Sequence, residues 1–261
     1  MGEIWVTGDI HGDATRFSKE NFPEQRNFYG NQNSNVVIIL GDFGLIWDWH
    51  CETKQERFWL DWLEEKNYTT VFVDGNHENF DRLYQYPEKQ WNGGKVHMIR
   101  PHVLHLIRGE IYDINGKSFF VFGGASSHDI SDGILDPADY KNSHELNMAC
   151  REKDDFGEYM YRIKGQSWWA QELPTDQEMQ HGLNNLALHN KKVDFLLSHS
   201  PSASDVVLIG KRPYKQDILT EYLEKIKQEN EIGVHLFGHM HDNLRLNERD
   251  ILLYEQITRI V

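Results

Sequence analysis

Eight side chains in this 261-residue sequence have the types and spacing to hold metal ions or move protons. Asp9 and His11 flank one residue in GDIHG (8–12), and His239 and His241 do the same in GHMHD (238–242). Asp42 sits in GDFG (41–44), Asn76 and His77 in GNHE (75–78), and His199 in SHSP (198–201). Carboxylate, imidazole and amide oxygen suit Mn, Fe, Zn or Co better than calcium. No cysteine takes part, so a cysteine-rich structural zinc site is excluded. In an extended segment, each i,i+2 pair would put both side chains on one side and aim them at one centre. A set this large exceeds one tetrahedral ion and suits two ions sharing a bridging carboxylate.

The elements that must position these residues are legible. IWVT (4–7) ends at GDIHG, NVVIIL (35–40) at GDFG, TTVFVD (69–74) at GNHE, VDFLLS (193–198) at the His199 motif and GVHLF (233–237) at GHMHD. Near-continuous apolar runs of this length predict strands buried on both faces. Ligand sites of α/β sheets form where strand ends meet loops. Glycines at 8, 12, 41, 44, 75 and 238 let the backbone turn sharply and approach a ligand closely. Taken singly, each motif is ordinary turn chemistry. Their joint placement at successive strand ends points to one convergent site.

Between these strands, 53–66 predicts an amphipathic helix with Phe58, Trp59, Trp62 and Leu63 at helical spacing. Residues 96–99, 103–114 and 117–125 read as strands, with Asn115-Gly116 as a hairpin signal. A helical stretch spans 167–191, restarting at PTDQE after Pro174, and 217–229 is a second amphipathic helix. The tail, 244–261, alternates enough for one or two strands. Residues 127–165 are polar without a clear period. The expectation is one domain over 1–261, with that polar segment inserted as a lid that selects the substrate.

Composition sets further bounds. Apolar content of 39% and eight tryptophans are ample for a core, so disorder is excluded. No apolar run approaches a membrane span, and the N-terminus has no charged-then-apolar pattern of a signal peptide. With only Cys51 and Cys150, no disulfide framework is implied, and a cytoplasmic location is expected. A formal charge of −14 disfavours extended nucleic acid, whereas a small phosphate ester could bind where metal ions reverse the sign locally.

GDIHG, GDFG, GNHE, SHS and GHMH, in this order over residues 8–241, resemble the motifs of the calcineurin-like metallophosphoesterases. The resemblance implies an α/β fold, a two-sheet β-sandwich flanked by helices in four layers. It implies two divalent metal ions, manganese first, with iron, zinc, cobalt or nickel as alternatives. Asp9, His11 and His241 would hold one ion, and Asn76, His199 and His239 the other, with Asp42 bridging. His77 would hold neither ion and would protonate the leaving oxygen or stabilise charge forming there. A hydroxide activated between the ions would attack phosphorus in line. The sequence departs from the phosphoprotein phosphatases of this superfamily: GDFGLIW has Leu45 and Ile46 where they carry Asp and Arg. Arg16 and Arg82 are candidates for the phosphate contact, and His128 for the substrate border. The expected function is a phosphomonoesterase or phosphodiesterase acting on a small nucleotide-like substrate. The alternatives are an inactive scaffold of the same fold and a phosphoprotein phosphatase. Oligomeric state is not legible in the sequence.

Overall fold

Val36–Ile39 is apolar at every position because protein covers it on both sides. Val36 and Ile38 face one core, while Val37 and Ile39 face another. This period-two division repeats through the molecule and defines its layers. The computed structural model describes residues 2–30, 32–210 and 216–261.

The chain runs through β1 (Ile4–Thr7), β2 (Val36–Ile39), helix α1 (Lys54–Glu64) and β3 (Thr69–Phe72). A short helix α2 (Phe80–Leu83) precedes β4 (Glu88–Trp91), β5 (Gly94–Arg100), β6 (Val103–Leu106), β7 (Ile111–Ile114) and β8 (Lys117–Phe122). Next come β9 (Gly133–Leu135), α3 (Ser143–Asp155), β10 (Tyr161–Ile163) and α4 (Asp176–Leu188). Then follow β11 (Lys192–Ser198), α5 (Ala203–Ile209), α6 (Ile218–Glu229) and β12 (Glu231–Phe237). The chain closes with β13 (Leu244–Arg245), β14 (Asp250–Leu252) and β15 (Thr258–Arg259).

Two mixed sheets result. The first has the order β15-β1-β2-β3-β6-β5-β4, with β1, β2, β3 and β6 parallel. The second has the order β13-β14-β12-β11-β8-β7, with β14, β12, β11 and β8 parallel. Val6, Ile38 and Val71 of one sheet meet Phe119, Val121, Leu197 and Leu236 of the other in a shared core. Outside the first sheet, Leu60 and Leu63 of α1 pack with Val37, Ile39 and Phe72. Outside the second, Leu186 of α4 and Leu219, Leu223 and Ile226 of α6 cover Phe120, Phe122 and Leu196. The expected helix–sheet–sheet–helix layering is therefore observed. Among the described residues no helix is long and apolar enough to cross a membrane.

Register places the motifs. Thr7 pairs with Ile39, and Ile39 with Phe72, so β1, β2 and β3 end level. Leu197 pairs with Leu236, so β11 and β12 also end level. Helix starts match their sequence signals: Thr53 and Glu56 form a capping box at α1, and Thr175 and Glu178 form one at α4.

The structure corrects two expectations and adds one observation. Residues 103–114 are not one strand: β6 lies in the first sheet and β7 in the second, with Gly109 at φ +80° in the crossing. Of the residues expected on the apolar face of α1, Phe58 is exposed, whereas Leu63 is buried and Trp59 and Trp62 pack against the core, with Leu60 and Glu56 buried beside them. The aperiodic segment 127–165 is ordered, as a parallel β9–β10 pair with α3 between its strands.

Candidate metal centre and active site

The strand ends converge. Ligand atoms of Asp9, His11, Asp42 and His241 all lie within 4.8 Å of one another, and so do those of Asp42, His199 and His239. Asp42 belongs to both groups. Its Oδ1 is 3.3 Å from His199 Nε2, and its Oδ2 is 3.8 Å from His11 Nε2. His241 Nε2 lies 3.2 Å from Asp9 Oδ2 and 3.0 Å from His11 Nε2.

The backbone behind this convergence differs from the extended pairs expected. His11, Asp42, His239 and His241 all have left-handed φ, at 46°, 44°, 70° and 47°. Such conformations cost free energy in non-glycine residues and persist where the surroundings enforce them. Asp9 and His11 therefore face one centre through a tight turn beyond the strand, not through a pleat, whereas the His239/His241 pair divides, His241 joining the first cluster and His239 the second. Hydrogen bonds lock the turns together: His11 N donates to Asp42 O at 2.8 Å, and His239 N to Asp9 Oδ1 at 3.1 Å.

The donors around the second cluster fit a cation. His199 Nδ1 donates to Leu40 O at 2.7 Å, which turns Nε2 toward Asp42. An imidazole fixed this way by a carbonyl is the usual arrangement of a metal ligand. Burial works against a charged His199, but Asp42 and Asp9 outweigh it and push its pKa up to about 10. Burial would likewise raise the Asp42 carboxyl, yet His199 holds it well below the usual range. Asn76 Oδ1 is buried and has no hydrogen-bond donor among the described residues. Its Nδ2 faces Ser127 Oγ at 3.5 Å, and Ser127 Oγ donates to Glu172 Oε2 at 2.6 Å. Burial pushes the Glu172 carboxyl up to about 8.

The model of the calcineurin-like phosphoesterase family matches residues 2–243. The chain belongs to that family. It is a phosphoester hydrolase. Solved structures similar to this phosphoesterase include the phosphopantetheinyl hydrolase of Mycobacterium tuberculosis. That protein is 14% identical, with a TM-score of 0.39, over 97% of this chain and 88% of its own. No curated protein matches the sequence.

Around the phosphoesterase's clusters, the remaining candidates separate. His77 stands edge-on to His11 with ring centroids 4.9 Å apart and lies 5.3 Å from Trp47. Its backbone N–H donates to Asp42 Oδ1 at 2.8 Å. Burial lowers its pKa to about 4. His128 stacks on His239 at 4.4 Å, bordering the second cluster. Arg16 lines a cavity of about 590 Å³ beside Asp9 and His11, which Asp13, Phe22 and Tyr254 also line. Its Nη1 is tied to Thr7 Oγ1 and the Tyr254 carbonyl, both at 2.7 Å.

Arg82 is not presented to the clusters. Its Nη1 donates to Asp48 O at 2.8 Å and to Glu56 at 2.9 Å. Glu56 is a buried carboxylate in the cap of α1, and a buried charge needs a partner. Glu78, without an assigned role in the motif, braces the Asp42 loop: it accepts Phe43 N at 2.7 Å and Gly44 N at 3.4 Å. One residue near the site had no sequence signal. Arg162 of β10 places Nη2 3.1 Å from His77 Nε2.

Proposed function

We propose that this chain hydrolyses phosphate mono- or diesters with two divalent ions, one held by Asp9, His11 and His241, the other by Asn76, His199 and His239. Asp42 is shared between them. The observation that carries this reading is that two ligand clusters meet at one buried carboxylate. The ions would supply an attacking water of lowered pKa and would neutralise charge on the phosphoryl group. The carboxylate, imidazole and amide donors favour manganese, with iron, zinc, cobalt or nickel next.

The chain's own residues do the rest. His199, fixed through Leu40 O, and Asp42, fixed through His77 N, preorganise the ligand set. His77 faces the leaving oxygen, by protonating it or by donating a hydrogen bond to the charge forming there. The cavity beside Asp9 and His11 has the volume of a small-molecule site and takes the alcohol side of a nucleotide-sized ester. The β9–α3–β10 segment acts as the substrate-selecting lid of a single domain. Cys51 and Cys150 are both free thiols, which suits a reducing cytoplasm.

Metal analysis of the purified protein, paired with assays on p-nitrophenyl phosphate and bis-p-nitrophenyl phosphate, tests the reading. Two equivalents of a transition metal per chain and manganese-dependent release of nitrophenol are expected. A protein that takes up no metal and hydrolyses neither ester would refute it and leave the inactive scaffold.

A further inference from the structure

Arg162 is a buried arginine whose donors are spoken for in an uneven way. Nε lies 2.8 Å from Asp129 Oδ1, and Nη2 donates to Asp129 Oδ2 at 3.0 Å. Nη1 donates to Ser167 O at 2.9 Å. These partners all come from the β9–α3–β10 segment or its immediate flanks, and they orient the guanidinium as a planar fork. The remaining contact reaches out of the segment: Nη2 lies 3.1 Å from His77 Nε2. A guanidinium only donates, so in this arrangement Nε2 accepts. His77 stands ring to edge against His11, so Arg162 sits one imidazole away from the first ligand cluster.

A purely structural strut does not account for this placement well. Burying a guanidinium is costly, and its carboxylate partner Asp129 keeps 45% of its side-chain surface exposed. The pair is therefore not a sealed ion pair of the core. The neutral imidazole is also a weaker acceptor for Nη2 than an anionic oxygen would be. Arg16 and Arg82, the arginines expected at the site, have Nη1 held by carbonyls, a hydroxyl or Glu56. Arg162 is the guanidinium that touches His77.

We propose that Arg162 is a substrate-contacting residue, whose Nη2 binds a non-bridging oxygen of the phosphate ester in place of its contact with His77, while Asp129 sets the orientation of the guanidinium. This rests on the phosphoesterase reading above. The phosphoryl oxygen displaces the imidazole because a charge-assisted hydrogen bond is stronger than one to a neutral ring. The same exchange frees the unprotonated His77 Nε2, which can then take up a proton from water before it donates to the leaving oxygen. Phosphate recognition and exposure of His77 thus become one event, and the inserted segment supplies the group that links them.

The test uses the manganese-loaded enzyme and three variants, Arg162→Ala, Arg162→Lys and Asp129→Asn. The readouts are KM and kcat on p-nitrophenyl phosphate, Ki for inorganic phosphate, metal content and melting temperature. Arg162→Ala is expected to raise KM and the phosphate Ki about 10- to 100-fold, the weight of a charged hydrogen bond. Metal content and melting temperature should hold, and millimolar guanidinium ion should restore part of the loss. Arg162→Lys should fall between, and Asp129→Asn should weaken phosphate binding less. If Arg162→Ala is too unstable to assay, Arg162→Lys decides by the same criterion. An active wild type whose Arg162 variants keep the phosphate Ki unchanged, or lose metal and stability together with activity, overturns this inference alone. An inert wild type that binds no phosphate overturns the phosphoesterase reading and this inference with it.

Discussion

Gly75→Ala should disable the site without replacing a candidate ligand. Gly75 needs no unusual φ; what it provides is space. A Cβ built there would lie 2.1 Å from Asp42 Oδ1, 2.4 Å from Asp42 N and 2.8 Å from His199 Cδ2. Carbon contacts settle near ~3.5 Å, so the Asp42 side chain must retreat by more than about 1 Å, and the loop must move as well to clear Asp42 N. Neither is easy, because Asp42 is buried and its Oδ1 already accepts His77 N at 2.8 Å. Overpacking of this kind costs about 1–3 kcal/mol of stability. A misplacement of about 1 Å at a reacting centre costs roughly 10²-fold in rate. We therefore expect Gly75→Ala to fold, to bind fewer than two metal equivalents, and to lose at least about 10²-fold in kcat/KM on p-nitrophenyl phosphate. Gly116→Ala is the control: φ is +77° there, but the added Cβ meets nothing within 4 Å. It should cost about 1–2 kcal/mol through backbone strain alone and keep metal and turnover. If Gly75→Ala retains full metal and turnover near wild type while Gly116→Ala does not, the steric account of the site is wrong.

Three further outcomes are expected. His77→Ala should keep its metal and lose roughly 10²–10⁴-fold on alkyl phosphates but less on activated aryl esters; equal loss on both would remove His77 from the leaving-group side. Asp42→Ala should lose both ions together, and titration of metal into it should show no tight site, whereas loss of a single equivalent would contradict the shared carboxylate. Burial, and then His105, lower the His97 pKa to about 4. A folded-state pKa below the unfolded value of about 6.5 means full stability above pH 6.5, lost as pH falls toward 4. Urea denaturation of wild type against His97→Gln should show wild type losing on the order of 1–2 kcal/mol more between pH 7 and pH 5, after discounting for solvent screening. Parallel pH curves would contradict it.

The layers and the convergence of strand ends were legible because the same residues carry two signals. Val36–Ile39 reads as a doubly covered strand, and the glycine-flanked polar residue after it has no reason to sit there unless the strand end is a site. Gly75 and Gly238 carry a third signal, since their missing side chains make room for Asp42 and Asp9. What failed was whatever depends on the third dimension alone. Residues 103–114 alternate like one strand, yet the chain changes sheets near Gly109. Arg82 follows GNHE closely, but the buried carboxylate of Glu56 claims it across the fold. Phe58 fits the helical period and still points to solvent. Arg162 lies in a segment without periodicity, 85 residues from the histidine it touches, so only folding brings the two together.

Both ligand clusters draw on both sheets. Asp9, His11 and Asp42 follow strands of the first sheet, and His199, His239 and His241 follow strands of the second. A nascent chain that has emerged only through β8 carries four of the seven proposed ligands, Asp9, His11, Asp42 and Asn76, but no closed ligand set. On the proposed assignment, neither ligand set is complete until the chain has passed β12 and reached His241. Full metallation in the cell would therefore report on completion of the sandwich, because each ion would join residues made first to residues made last.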